Sequence, residues 1–118
     1  MKTSKILTKA KEYLCLGGAV GDNVMGELYQ TQFMCLAIAN ACRVLNVSAK
    51  KRNATTAIVG SRIKPQYTIL DWLYENEHIS KRQFKAWDKD HDYVPYKLQD
   101  YRHAWLDHLI NEFKDKGD

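Results

Sequence analysis

Long apolar runs are missing from this 118-residue chain. A membrane-spanning helix needs roughly 20 consecutive apolar residues, and the longest candidate, residues 33–41, is broken by Asn40 and followed by Arg43. No membrane partner is expected. The early lysines lead into no apolar stretch with a small-residue cleavage site, so no secretory leader is expected either. Without secretion the two N-x-S/T matches, at Asn46 and Asn53, carry no meaning.

Cysteine is scarce and badly spaced for chemistry. Cys15, Cys35 and Cys42 form no C-x-x-C pair, and no metal spacing ties them to the histidines. An odd set of free thiols suits a reducing cytoplasm. Cys35 and Cys42 stand seven apart in an apolar helical stretch, which places both on one face as small buried side chains. An apolar setting also blunts a thiol as a nucleophile.

Other signatures fail at their key positions. Gly17, Gly18, Gly21 and Gly26 match neither a P-loop, which needs G-K-[ST], nor the dinucleotide fingerprint G-x-G-x-x-G. Asp88, Asp90 and Asp92 open like a calcium loop, but Tyr93 stands where the turn wants glycine and Gln99 where a bidentate glutamate is needed. His103 and His108 are five apart, whereas a zinc helix wants four so that both imidazoles share a face. His103 with Asp107 and His108 with Glu112 read instead as i,i+4 surface pairs. No G-x-S-x-G or H-E-x-x-H is present. The chain reads as a non-enzyme without a cofactor.

What remains is the composition of an ordinary globular protein: 45% hydrophobic and 27% charged residues. One domain over residues 1–118 is expected, large enough for a real core. Three tryptophans, seven tyrosines and three phenylalanines can anchor that core without disulfides.

The clearest element is residues 97–114. Leu98, Tyr101, Trp105, Leu109 and Phe113 recur at helical steps, joined by Leu106 and Ile110. Pro95 suits its entry and Gly117 its exit. Asp100, Arg102, His103, Asp107, Asn111 and Glu112 form its polar side.

Earlier in the chain, Thr3 or Ser4 caps a helix striped by Ile6, Leu7, Ala10, Tyr13 and Leu14, which ends at Gly17–Gly18. Residues 17–28 form a glycine-rich connection. Thr31 caps a strongly apolar helix to about Leu45, expected at the centre of the fold. Residues 46–64 mix turn-like and β-branched residues, with helix favoured through Ala54, Ile58 and Ile63. Thr68 and Asp71 approximate a capping box for a helix over 69–77. Ser80 caps another to about Trp87, with Phe84 and Trp87 inward. The sum is an all-α, compact single-domain bundle of four to six helices, with a short hairpin or open loop near residues 17–30.

Charge is the one uneven feature. Residues 1–45 carry five basic and three acidic groups, residues 67–118 eight and eleven, and residues 46–66 five basic groups with no acid. Lys50, Lys51, Arg52, Arg62 and Lys64, interleaved with Ser48, Asn53, Thr55, Thr56 and Ser61, offer cations and donors for phosphate or carboxylate. The plain alternative is a solvated loop. Arg102 and His103 on the last helix complete the candidate ligand-binding set. A nucleotide would also need an aromatic such as Tyr67 or Tyr29 to stack on, and a protein partner an exposed apolar patch beside the charges. A weak nucleic-acid binder is the alternative, opposed by the acidic final third.

Y-R-H-A-W-L-D-H-L-I-N-E-F at 101–113, with F-M-C-L-A-I-A-N-A at 33–41 and I-L-D-W-L at 69–73, resembles small accessory proteins of tailed bacteriophages. The resemblance covers about half the chain and implies a phage gene product acting in the cytoplasm of the bacterial host. It implies no active-site residues. By analogy with small phage proteins lacking enzymatic motifs, it implies a counter-defence inhibitor that sequesters a signalling nucleotide or blocks a host or defence protein. Two copies forming a homo-oligomer would bring two basic islands together.

Overall fold

The last helix has apolar residues at steps of three and four, and it folds against the first helix, whose stripe has the same period. The computed structural model describes residues 1–15, 29–64, 66–89 and 98–115. The glycine-rich connection, Pro65, Asp90 and Asp92 of the acidic turn, His91, Pro95, Gly117 and the side chains of Trp87 and Asp88 lie outside the described residues. Six helices are described: α1 (Thr3–Cys15), α2 (Gln30–Val44), α3 (Ala49–Gly60), α4 (Ile69–Glu75), α5 (Lys81–Lys89) and α6 (Leu98–Asp115). The fold is all-helical. Among the described residues the sole extended pairing is an isolated antiparallel bridge between Tyr29 and Thr68.

The centre is a three-helix contact. α6 packs chiefly on α1, α1 on α2, and α2 on α3, while α4 joins α6 to α5. Ile6, Leu7, Ala10 and Leu14 of α1 meet Trp105, Leu106, Leu109, Ile110 and Phe113 of α6, all buried. Phe33 of α2 meets Trp105 edge-to-face at 5.4 Å, an arrangement worth about 0.5–1.5 kcal/mol beyond burial. Lys11 and Asp107 close the edge of the α1–α6 contact at 2.7 Å. Asp107 therefore ties α6 to α1.

α1 begins at Thr3, itself buried, and the N–H groups of Lys5 and Ile6 donate to the Lys2 carbonyl. Neither Thr3 nor Ser4 is an outside cap. The cap position of α2 falls two residues before the expected Thr31, and the helix starts at Gln30. Tyr29 occupies the cap position without a side-chain bond, because the Gln30 N–H is taken by the Tyr67 carbonyl at 2.8 Å and Gln30 Nε2 by the Thr68 carbonyl at 3.0 Å. A neighbouring strand-like segment thus does the work of a cap.

α2 is covered on fewer sides than its composition suggests. Phe33, Met34, Ala37, Ile38, Ala41 and Cys42 are buried, but Cys35, Leu36 and Val44 are exposed. Cys35 is thus not the core thiol its spacing from Cys42 implied. Cys42 lies where α3 returns alongside, and Cys35 opens on a surface depression with Thr31, Gln32 and Leu36.

Two caps form as their residue types dictate. The Thr68 hydroxyl accepts from the Asp71 N–H at 3.0 Å, and the Asp71 carboxylate accepts from the Thr68 N–H at 2.9 Å. Ser80 and Gln83 exchange the same pair of bonds at the start of α5, at 3.2 and 2.8 Å. Phe84 then stacks on Tyr74 at 4.9 Å, tying α5 to α4.

Candidate functional site

The basic segment folds as an αα-hairpin. α2 ends where Asn46 takes a left-handed φ of 57°, a conformation asparagine tolerates better than most residues. The Val47 N–H donates back to the Cys42 carbonyl at 2.8 Å and the Asn46 N–H to that of Arg43 at 3.2 Å. Leu45 and Val47 pack on the core on either side of this turn. Ser48 then caps α3, its hydroxyl accepting from the Lys51 N–H at 3.2 Å.

The second helix runs back along the first. A Cβ placed on Gly60 would lie 3.5 Å from the Met34 Cε, near the start of α2. A DNA-reading helix–turn–helix crosses its two helices at roughly 90–120°, which would carry Gly60 far from Met34. The close return instead defines an antiparallel pair.

The inner face of α3 is not the one its aliphatics suggest. Thr55 and Val59 are buried, whereas Ala54 and Ile58 are exposed, and the buried Ile63 lies beyond the helix end. The Thr55 hydroxyl is satisfied within the helix by the Lys51 carbonyl at 2.9 Å. Outward come Lys50, Arg52, Asn53, Ala54, Ala57 and Ile58, with Lys51 half-buried.

The seven candidate residues fall in three places. Lys50, Lys51 and Arg52 form the first turn of α3, with no acid there and no ion pair among the described residues. Arg62 and Lys64 sit beyond the other end, about 18 Å away for a helix of 12 residues. There Arg62 is engaged by Glu112 at 3.6 Å and lies over the Phe113 ring, and Lys64 lies 4.6 Å from the Tyr67 ring centre. Arg102 is the third place and a correction. It is 3% exposed, with its guanidinium over the Phe33 ring at 5.7 Å, and so belongs to the core and not to a polar face. His103 beside it is half-buried.

The charges at the start of α3 are felt inside the protein. Burial pushes the Cys42 thiol above its ordinary range, while Arg52 and Lys51 pull in the opposite direction. A buried neutral thiol under two cations is a poor nucleophile.

Tyr29 and Tyr67, the two aromatics suited to stacking on a base, come together at the far end of α3 through the Gln30–Tyr67 bond and the Tyr29–Thr68 bridge. A base stacked there lies about a full α3 length from Lys50, Lys51 and Arg52. Nothing in the spacing anticipates a second group: Trp72 contacts His78 at 5.0 Å and His108 at 5.3 Å, and His108 meets Glu112 at 3.8 Å. The i,i+4 pair of His108 and Glu112 forms as its spacing suggests, and Glu112 links it to Arg62. Among the described residues no group of three His, Cys, Asp or Glu side chains is placed to hold a metal ion, and no helix is long and apolar enough to cross a membrane.

Compared with known protein families, curated proteins and solved structures, the chain matches none.

Proposed function

We propose that this chain is a non-enzymatic accessory protein of the tailed-phage kind, which acts in the host cytoplasm by occupying an anionic target. The occupied target is a signalling nucleotide or a host or defence protein, and occupation counters a bacterial defence. One observation carries the reading: the first turn of α3 holds three cations where helix physics favours acids.

The N-terminus of a helix has the positive end of the dipole, so each cation there costs about 0.3–1 kcal/mol relative to a favourable placement. α4 and α6 carry Asp71 and Asp100 in their first turns, whereas α1, α2 and α5 carry no acid there and α5 opens on Lys81 and Arg82, so α3 is set apart by three consecutive cations. α4 and α5 close their first turns with Thr68–Asp71 and Ser80–Gln83 boxes. α3 has the Ser48 half of the same device, but Lys51 occupies the position where Asp71 and Gln83 complete it. An incoming phosphate or carboxylate would supply the missing acceptor and be held by two exposed ammonium and guanidinium groups as well.

Duplex DNA would meet the same cations, and nucleic-acid binding stays the second reading. The antiparallel packing of α2 and α3 speaks against groove insertion. Native mass spectrometry of the protein purified from defence-carrying bacteria tests the proposal. A bound mass that disappears in Lys50→Glu/Arg52→Glu supports it. A bare chain in both proteins contradicts tight occupation.

A further inference from the structure

Each of the other five helices carries at least two charged residues, whereas α2 carries one, Arg43, near its end. A surface helix ordinarily turns a charged side to water, and α2 does not. Gln32, Leu36, Ala39 and Arg43 follow one another at steps of four, three and four, within about 60° around the axis. Gln32, Leu36 and Arg43 are exposed and Ala39 is half-buried, with exposed Cys35 on one flank and half-buried Asn40 on the other. Phe33, Met34, Ala37, Ile38, Ala41 and Cys42 hold the opposite, buried side. We infer that this face pairs two copies of the chain, α2 against α2, antiparallel about a two-fold axis level with Ala37 and Ile38.

The order of the residues matches a second copy. Alternating steps of four and three are the seam of a two-helix pair. Set antiparallel, Leu36 meets Ala39 of the second copy and Gln32 meets Arg43 of the second copy, each pair formed twice. Bulk then packs on a small residue, and the one cation of the face meets a neutral amide oxygen. Set parallel, the two Arg43 side chains would oppose each other, and like charges facing across an interface disfavour it. Arg43 is already held in place, its Nη2 donating to the Tyr13 hydroxyl at 3.3 Å and to Asn40 Oδ1 at 3.2 Å. A guanidinium has further donors for a partner. The surface depression lined by Thr31, Gln32, Cys35 and Leu36 is covered in this pairing by the Ala39–Arg43 half of the second copy. Nucleic acid or a strongly acidic protein would find only one cation on the same face.

The 15 residues of α2 make a face about 22 Å long, which covers less than the roughly 800 Å² per partner of a standard interface. A reversible dimer is therefore expected, with a Kd on the order of 10 μM. The same symmetry sets Asn46, in the turn before α3, across from Tyr29 of the second copy. Tyr29 is 43% exposed. The aromatic that a single chain keeps about a full α3 length from Lys50, Lys51 and Arg52 thus reaches their end of the molecule from the other copy. That consequence rests on the reading of the cation cluster as a binding site, whereas the pairing itself does not.

Sedimentation equilibrium of the full chain in reducing buffer, from about 2 to about 200 μM, should show a monomer–dimer equilibrium. Leu36→Glu places two carboxylates in the seam and should leave a monomer over the whole range. Its far-UV circular dichroism should match the native chain, because Leu36 is 38% exposed. Gln32→Glu should tighten the dimer roughly threefold, since each new carboxylate meets Arg43 of the second copy. A monomer at every concentration overturns the inference, and so does a dimer that Leu36→Glu leaves intact. A dimer that Gln32→Glu weakens or leaves unchanged overturns the antiparallel order. Lys50→Glu/Arg52→Glu should sediment as the native chain does, so loss of anion binding and loss of pairing are read separately.

Discussion

α6 and α3 are built to opposite rules. α6 buries Trp105, Leu106, Leu109, Ile110 and Phe113 along one side, engages α1 through Asp107 and Lys11, and places even an arginine in the core. α3 buries only Thr55 and Val59, leaves its one isoleucine outside, and opens with three cations at its dipole-positive end. One helix gains its stability from packing. The other is held by a neighbour and presents a surface. That difference is why the start of α3, and not α6, is proposed as the binding surface.

The most direct way to break the packed half is Trp105→Ala. It should cost about 3–5 kcal/mol, a large share of the stability of a domain this size, and urea denaturation should show a largely lost native baseline. Arg102→Ala should cost about 1–3 kcal/mol by removing the buried stem and its contact with the Phe33 ring. It should leave the affinity of the α3 face unchanged, and a large affinity loss at full folding would return Arg102 to the binding set. Thr68→Ala opens the α4 capping box at a cost of about 1 kcal/mol, read from the same urea curves.

A smaller effect belongs to Cys42. Its thiol pKa is raised in the folded protein by burial, so its contribution is fully present below the unfolded thiol's pKa. That contribution is lost as pH rises through the folded value. Stability measured into the alkaline range should therefore fall more in the native sequence than in Cys42→Ala, and parallel curves would contradict this.

Legibility of the sequence followed residue type as much as period. The α6 stripe, the Thr68–Asp71 box and the Ser80 cap were readable because one pattern had one meaning, while the answering bond from Gln83 came from the structure. Arg102 lies three and four residues before Trp105 and Leu106, on the buried stripe by spacing, but its charge argued for the polar side. Its long stem and ring contact resolve the conflict. Cys35 and Leu36 read as core because α2 is apolar nearly all round, and which side stays open depends on where α1 and α3 lie. In α3, β-branched and small residues populate both faces, so the choice of Thr55 and Val59 over Ala54 and Ile58 as the inner pair was set by the fit against α2. The basic island was visible as composition. Its division between the two ends of α3 was not, since that depends on where the helix begins and stops.

The central claim is that the start of α3 gives up helix stability to keep a positive surface. Urea denaturation of Lys51→Glu tests it most directly. This change completes a capping box with Ser48 and places a carboxylate at the dipole-positive end, so the protein should gain about 0.5–1 kcal/mol while losing affinity for acidic partners. A variant less stable than the native chain would show that Lys51 is a structural residue, and the contrast between the two helices would fail at its key position.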